Sequence, residues 1–263
     1  MPRPEETLFP SKRERTEDRR KERQQRKLQD EFFDHATLLA ISRLVTQGQF
    51  DQLDFPISTG KEGGVFRASS QAGYRAVKVY RIGNAIFRRL PPYAVEELRR
   101  EASDRNFGKM VYAWTRREHT VLRRLRTASV RCPEPYGYYR NVLVMDLVGT
   151  DGVPAPRLQN VRPDDPEALY EELVEQLRRM FHSAHLVHGD LSPYNVLYHE
   201  GVPVLIDVAQ AIPTTHPQAA ELLERDVRHF ATFLRRAGAK VDGESFLTRV
   251  RAAPDDIASA EEA

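Results

Sequence analysis

The spacing of apolar residues changes character several times along this chain. From Phe32 to Leu44 they recur at Phe33, Ala36/Thr37, Ala40/Ile41 and Leu44, a step that predicts a helix packed on a domain. After Asp54 the step shortens: "PISTGKEGGVFRAS" followed by "YRAVKVYR" reads as strand, Gly-rich turn, strand and strand. Residues 81–109 are irregular and charged, with Pro91-Pro92 inside; that is too long for a plain connection, so a functional or flexible loop with room for a short helix is expected. Helical spacing returns from Val111 to Arg126, "RNVLVMDLVG" reads as a buried strand entering a linker, and Glu167–Ser183, Ala219–Arg236 and Glu244–Arg251 read as helices. Leu186 to Gln210 reads as loop, strand, turn and strand. Strands with one helix, then mostly helices, predict an α+β protein with a small β-rich lobe and a larger α-rich lobe, joined near Met145–Gly152. The expected divisions are a charged flexible tail (1–30), a helical extension (31–54), a first lobe (55–145) containing the loop 81–109, a second lobe (146–252) and a frayed C-terminus (253–263).

Composition adjusts this picture in two places. Net charge is only +2 over 263 residues, but residues 1–28 hold ten Lys/Arg against six acids, so the remainder is slightly acidic. A basic arm for nucleic acid and a plain solubilising tail are both open for that segment. Cys132 is the only cysteine, which rules out an internal disulfide and thiolate-rich metal sites and fits a reducing compartment. No apolar stretch approaches the roughly 18–20 residues of a membrane span, and the N-terminus lacks the apolar core of a signal peptide, so a cytoplasmic protein is expected.

The chemistry concentrates in "LVHGDLSPYNVLYHEGVPVLIDVAQ". Asp190 and Asn195, five apart, have the spacing used in phosphoryl transfer: a carboxylate to accept the proton of an attacking hydroxyl and an amide to reach a metal ion. Asp207, ending an apolar run, would be the second metal ligand, and Mg²⁺ favours such oxygen donors. The same residues also make ordinary turns, and on spacing alone the two readings stand level. Lys78 in "RAVKVY" is a lysine in a half-buried strand, a position that also suits a snorkelling edge lysine. Glu118 weighs against that: it lies on the apolar stripe Val111, Trp114, Val121/Leu122, Leu125, where a carboxylate is costly unless paired, and Lys78 is its natural partner. In "STGKEGGVF", Ser58, Gly60, Gly63 and Val65 occupy the places of the G-x-G-x-x-G-x-V phosphate loop, with Lys61 inside it. A P-loop is excluded, because Gly60-Lys61 is followed by Glu62. His182, His185 and His188 are spaced almost as zinc ligands would be, but a turn before His188 should keep the rings apart, and His188 is expected to brace the turn instead.

Together these segments resemble the RIO family of atypical protein kinases, most closely its first subfamily. "STGKEGGVF", "VLVMDLVGTDGVPAPRL", "HGDLSPYNVL" and "LIDVAQAI" are similar to the family's loop, hinge, catalytic and metal-binding motifs, and the likeness runs from about Phe32 to Phe246. The resemblance implies a trimmed bilobal kinase fold with ATP and Mg²⁺ (or Mn²⁺) in the cleft. It makes Asp190 the catalytic base, Asn195 and Asp207 the metal ligands, and Lys78 with Glu118 the phosphate-positioning pair. Met145 would lie behind the adenine, with backbone groups of Asp146 and Val148 bonding it, and Asp207 could itself take up phosphate in an ATPase cycle. Against ordinary protein kinases, Gly189 stands in place of an arginine, Val208-Ala209 follows Asp207 where Phe-Gly is usual, and no A-P-E motif follows. Within the family, Gly63-Gly64 and Gly189 are the departures.

The leading expectation is an ATP-dependent serine/threonine kinase or ATPase. The family acts in small-ribosomal-subunit maturation, so that subunit or its RNA is a candidate partner. A small-molecule phosphotransferase of aminoglycoside type and an ATP-gated assembly factor with little turnover are the alternatives. Ser103, the only serine or threonine between Arg81 and Val111, is a candidate autophosphorylation site beside Arg99, Arg100 and Arg105.

Overall fold

A computed structural model describes residues 33–82, 94–96, 98–99 and 107–253. Ser103 and most of the loop 81–109 lie outside the described residues, as do the basic tail and the last ten residues. Helix α1 (His35–Thr46) opens the described chain, with the Asp34 carboxylate capping the N–H of Thr37 at 2.8 Å. Its inner face, Thr37, Ala40 and Leu44, lies on a five-stranded antiparallel sheet of order β1 (Gln52–Thr59), β2 (Gly63–Ser70), β3 (Gly73–Tyr80), β5 (Val142–Asp146) and β4 (Pro135–Tyr139).

The two-residue period of β3 and β5 divides labour between the faces of this sheet. Val77, Val79, Val142 and Val144 pack towards α1 with Phe50 and Phe66. Ala76, Leu143 and Met145 turn the other way, onto helix α2 (Phe107–Thr127) and the main core. Lys78 shares that second face and sits opposite Leu143 on one side and Val65 on the other.

Beyond Asp146 two short strands, β6 (Gly149–Thr150) and β7 (Val153–Pro154), lead to helix α3 (Pro166–Arg178), whose last turn continues as a π-helical turn, Arg179–Ser183. Strand β8 (Leu186–Val187) precedes the polar turn and pairs with β11 (Ile212–Pro213). Strands β9 (Val196–His199) and β10 (Val202–Leu205) form a hairpin between them. Helices α4 (Ala219–Ala237) and α5 (Gly243–Arg251) complete the helical part. Among the described residues no helix is long and apolar enough to cross a membrane.

Three details add to the sequence reading. Helix α2 begins at Phe107, so residues 107–109 belong to it and not to the loop; Gly108 and Lys109 blur the apolar period there. Residues 94–96 and 98–99 are helical, and Ala94 and Leu98 pack with Trp114 and Tyr80. Strand β4 carries Pro135 and Gly137, which read as turn residues; it lies at the sheet edge, where a proline costs no ladder bond.

Candidate active site

A cleft runs between the sheet and the helical part as two adjoining cavities of about 830 and about 570 Å³. Their walls share Ser58, Val65, Arg157 and Asp207. The larger is polar and receives Lys78, Asp190 and Asn195. The smaller is apolar, walled by Ala76, Leu122, Met145, Leu197 and Ile206.

The glycine loop roofs the polar half. The N–H of Gly60 donates to the Gly63 carbonyl at 2.9 Å, closing a turn that exposes Lys61, and Ser58 pairs with Val65 across it. Gly63 is required for a reason other than phosphate access: a Cβ there would meet the Val79 carbonyl at 2.4 Å, so only glycine lets β2 lie this close to β3.

Lys78 meets two carboxylates, Glu118 Oε1 at 2.7 Å and Asp207 Oδ1 at 2.6 Å. Glu118 is 1% exposed, on the buried stripe of α2 with Trp114, Val121, Leu122 and Leu125. Burial would strip Lys78 of its proton, but Asp207 and Glu118 outweigh it and hold the pKa above the usual lysine value. Burial would likewise raise Asp207; Lys78 outweighs it and keeps that carboxyl below its ordinary value. For Glu118 burial wins over Lys78, and the nearby Asp207 charge adds to it, so its pKa is raised. Asp207 adopts a left-handed backbone, φ 58° and ψ 44°, a conformation aspartate tolerates better than most residues. From α2, the Arg117 guanidinium donates to the Ala209 and Ala211 carbonyls at 2.8 and 2.7 Å. One helix thus carries the partner of Lys78 and fastens the segment that follows Asp207.

Asp190 and Asn195 face the same cleft. The Asn195 amide donates to the Asp190 carbonyl at 2.7 Å and to its Oδ2 at 3.3 Å, and Gln210 Nε2 approaches the same Oδ2 at 3.4 Å. The Ile206 N–H donates to the Asn195 carbonyl at 3.0 Å, tying this turn to the end of β10. The turn is held from behind by Asp226, which sequence reasoning missed. Its carboxylate, 1% exposed, accepts the N–H of Gly189 at 2.8 Å and that of Leu191 at 3.1 Å. Arg225 donates to the Gly189 carbonyl. Gly189 itself has φ 78°, the left-handed region that favours glycine. Burial raises the Asp226 pKa against the pull of His188 and the two N–H bonds. His188 is buried too, and its Nε2 donates to the Ile206 carbonyl at 3.1 Å; His182 bonds the Val250 carbonyl instead.

At the apolar end, Met145 is buried opposite Ala76. The Asp146 N–H donates to the Glu134 carbonyl at 2.9 Å, and the Val148 carbonyl accepts from Ala155 at 2.8 Å. The remaining backbone groups of interest at this edge are the Asp146 carbonyl and the Val148 N–H.

The donor set fits a nucleotide with a hard cation. The Lys78 ammonium has three N–H donors, of which the two carboxylates take two. Asp207 and Asn195 offer a carboxylate and an amide oxygen, a small set of the kind Mg²⁺ uses when phosphates and water complete its shell. Among the described residues no three His, Cys, Asp or Glu side chains converge as a self-sufficient metal site.

The model of the RIO domain matches residues 64–246. The RIO-type serine/threonine-protein kinase Rio1 of Haloferax volcanii is 45% identical over 228 residues, 86% of this chain and 78% of that protein. The human serine/threonine-protein kinase RIO1 is 36% identical over 84% of this chain, which spans only 40% of the human protein's length. The Rio2 kinase of Chaetomium thermophilum superposes with a TM-score of 0.62 at 20% identity, over 80% of this chain and 66% of that one. A complex of the same kinase described as ADP/Mg²⁺-phosphoaspartate gives 0.61 at 22%, over 82% of this chain and 66% of that one. These two share the fold. The chain therefore belongs to the RIO family of atypical kinases, in its Rio1 group.

Proposed function

We propose that this protein binds ATP with Mg²⁺ in the cleft and transfers the γ-phosphate to a protein serine or threonine, its own included, or transiently to Asp207. The observation that carries this reading is the convergence of Lys78, Glu118, Asp207, Asp190 and Asn195 on one cleft with a polar and an apolar half. The apolar half is shaped for a base, with Met145 behind it and the Asp146 carbonyl and Val148 N–H at its edge. Lys78, oriented by Glu118, would meet the phosphates under the loop of Ser58, Gly60, Lys61, Gly63 and Val65. Asn195 and Asp207 would hold the cation, Mg²⁺ or Mn²⁺, which when bound neutralises phosphate charge.

Asp190 would accept the hydroxyl proton while the hydroxyl oxygen bonds to the γ-phosphorus and ADP departs. A water-consuming branch is favoured by Lys78 keeping Asp207 anionic: a carboxylate oxygen attacks the γ-phosphorus, ADP leaves, and water then cleaves the acyl phosphate. The neighbour whose description includes phosphoaspartate is in line with that branch. The excess of four positive charges in residues 1–28 supports an RNA-rich partner such as the small ribosomal subunit. The single cysteine, buried and with its thiol pushed up to about 12 by burial, is in keeping with the cytoplasm.

The test is incubation with γ-labelled ATP and Mg²⁺, following phosphate release, self-labelling and transfer to purified small ribosomal subunits. Label that resists hydroxylamine is expected on serine, and hydroxylamine-sensitive label on Asp207. Absence of both, with ATP left intact, would reject the reading.

A further inference from the structure

A third cavity opens on the helical part, outside the cleft, with a volume of about 730 Å³. One wall is the polar turn itself: Ser192, Pro193 and Tyr194 line it, between Asp190 and Asn195. Three Cα–Cα steps of 3.8 Å set Pro193 at most about 11 Å from Asp190, roughly three residues of extended chain. The opposite wall is α4, through His229, Phe233 and Arg236, and the third is the segment before α3, through Arg162.

The charge of this groove has one sign. Arg162 and Arg236 line it, both exposed, with the His229 imidazole beside them, and no carboxylate does. Neither arginine makes an ion pair among the described residues, whereas Arg228 and Arg249 are bound to Glu224 and Glu171. Asp164 and Asp165, next along the chain, act elsewhere: Asp165 caps α3 through the N–H groups of Glu167 and Ala168, and both charges push up the Tyr198 hydroxyl after burial has done so. Tyr194, 56% exposed, and the half-buried Phe233 add apolar surface to the same groove.

We propose that this groove is a substrate subsite for an acidic protein segment: it holds carboxylates a few residues from the serine presented to Asp190. The proposal rests on the kinase reading above and supplies a specificity that reading lacks. An extended peptide can span from the groove to Asp190, and each carboxylate can take a two-pronged guanidinium contact. A strand of RNA would find charge and aromatic faces too, but would bring no serine to the neighbouring carboxylate.

Transfer from γ-labelled ATP is measured with the full chain and two synthetic peptides, one with a single serine between glutamates and one with it between lysines. The glutamate peptide should be favoured about tenfold or more, chiefly through a lower KM, and the preference should shrink with added salt. An Arg162→Glu/Arg236→Glu double variant should invert the preference while peptide-independent ATP hydrolysis stays at its wild-type rate. Equal use of both peptides, or a preference that survives the double variant, overturns the proposal. So does failure to label either peptide while ATP is still hydrolysed, an outcome that leaves the kinase site intact. Loss of hydrolysis, self-labelling and nucleotide binding in the wild type would instead bring down the catalytic reading together with this one. Binding of a single-stranded oligoribonucleotide that the double variant abolishes, without any peptide preference, would make the groove a nucleic-acid site.

Discussion

The two sides of the cleft hold their reactive groups by opposite means. On the sheet side Lys78 is locked by direct contact with two side chains, Glu118 and Asp207, in a place where charge is costly to leave alone. On the helical side Asp190 is exposed and, among the described residues, its carboxylate is hydrogen-bonded only by the amides of Asn195 and Gln210; its position is set by a carboxylate that never meets it, Asp226, acting on the backbone of the turn. Position and charge are therefore inseparable at Lys78 and separable at Asp190. The difference teaches where chemistry and stability can be changed independently.

The sharpest test of that separation is Asp190→Asn. Phosphate transfer should fall by about 10²–10⁴-fold, the usual worth of a general base, while urea unfolding moves by less than about 0.5 kcal/mol. Steady-state transfer and chemical denaturation, measured on one preparation, check both halves; a large loss of stability would show that the exposed carboxylate is structural. The sheet side should behave otherwise. Lys78→Met leaves two carboxylates facing each other and should destabilise by about 3–5 kcal/mol. Glu118→Gln leaves Lys78 with Asp207 and should cost less. Combined, the two changes should couple by about 0.5–3 kcal/mol, the double variant being more stable than the sum predicts. Strict additivity in a denaturation cycle would mean the pair carries no interaction of its own.

Asp226→Asn probes the hidden support of the turn. One amide oxygen can still accept one N–H, but the amide nitrogen then faces the other donor, so about 1–3 kcal/mol of stability should be lost. Transfer should fall with it although no substrate-facing atom has changed, and ATP affinity should hold, since Lys78 is untouched. Calorimetric titration with a non-hydrolysable nucleotide separates these. Unchanged transfer would show that the turn keeps its shape without the carboxylate.

The two sides were not equally legible in the sequence. Glu118 announces itself, because a carboxylate on the stripe Trp114, Val121, Leu122 and Leu125 demands a partner and one lysine sits on a half-buried strand. Asp226 obeys the same rule on α4, among Leu222, Leu223, Val227 and Phe230, and could have been found by it. Its partners could not: they are backbone N–H groups more than thirty residues earlier, and no side-chain pattern marks them. The Lys78–Asp207 contact spans 129 residues and depends on a left-handed residue at the end of β10, which spacing does not reveal. The long helices were readable from their period. Strand β4 was not, because Pro135 and Gly137 speak for a turn and only the sheet edge overrules them.

The smallest expected effect compares half-buried Asp207 with buried Asp226 through pH. Asp207 has a pKa below its ordinary 3.8, set by Lys78 against burial; its stability contribution is present above 3.8 and is lost as pH falls through the lowered value. Asp226 has a pKa raised above 3.8 by burial; its contribution is complete below 3.8 and is lost as pH rises through the raised value. Asp226→Asn removes only the second of these, while Lys78, Glu118 and Asp207 titrate alike in both proteins. His188 and Arg225, which face Asp226, are present in both as well. The stability advantage of the wild type over Asp226→Asn should therefore widen as pH falls from 7 towards 4. Urea unfolding at a series of pH values measures it directly. A constant difference would mean that Asp226 has the proton affinity of an exposed aspartate. A difference that narrows towards acid would mean that the two N–H bonds and His188 dominate burial, and that Asp226 titrates with the same sign as Asp207.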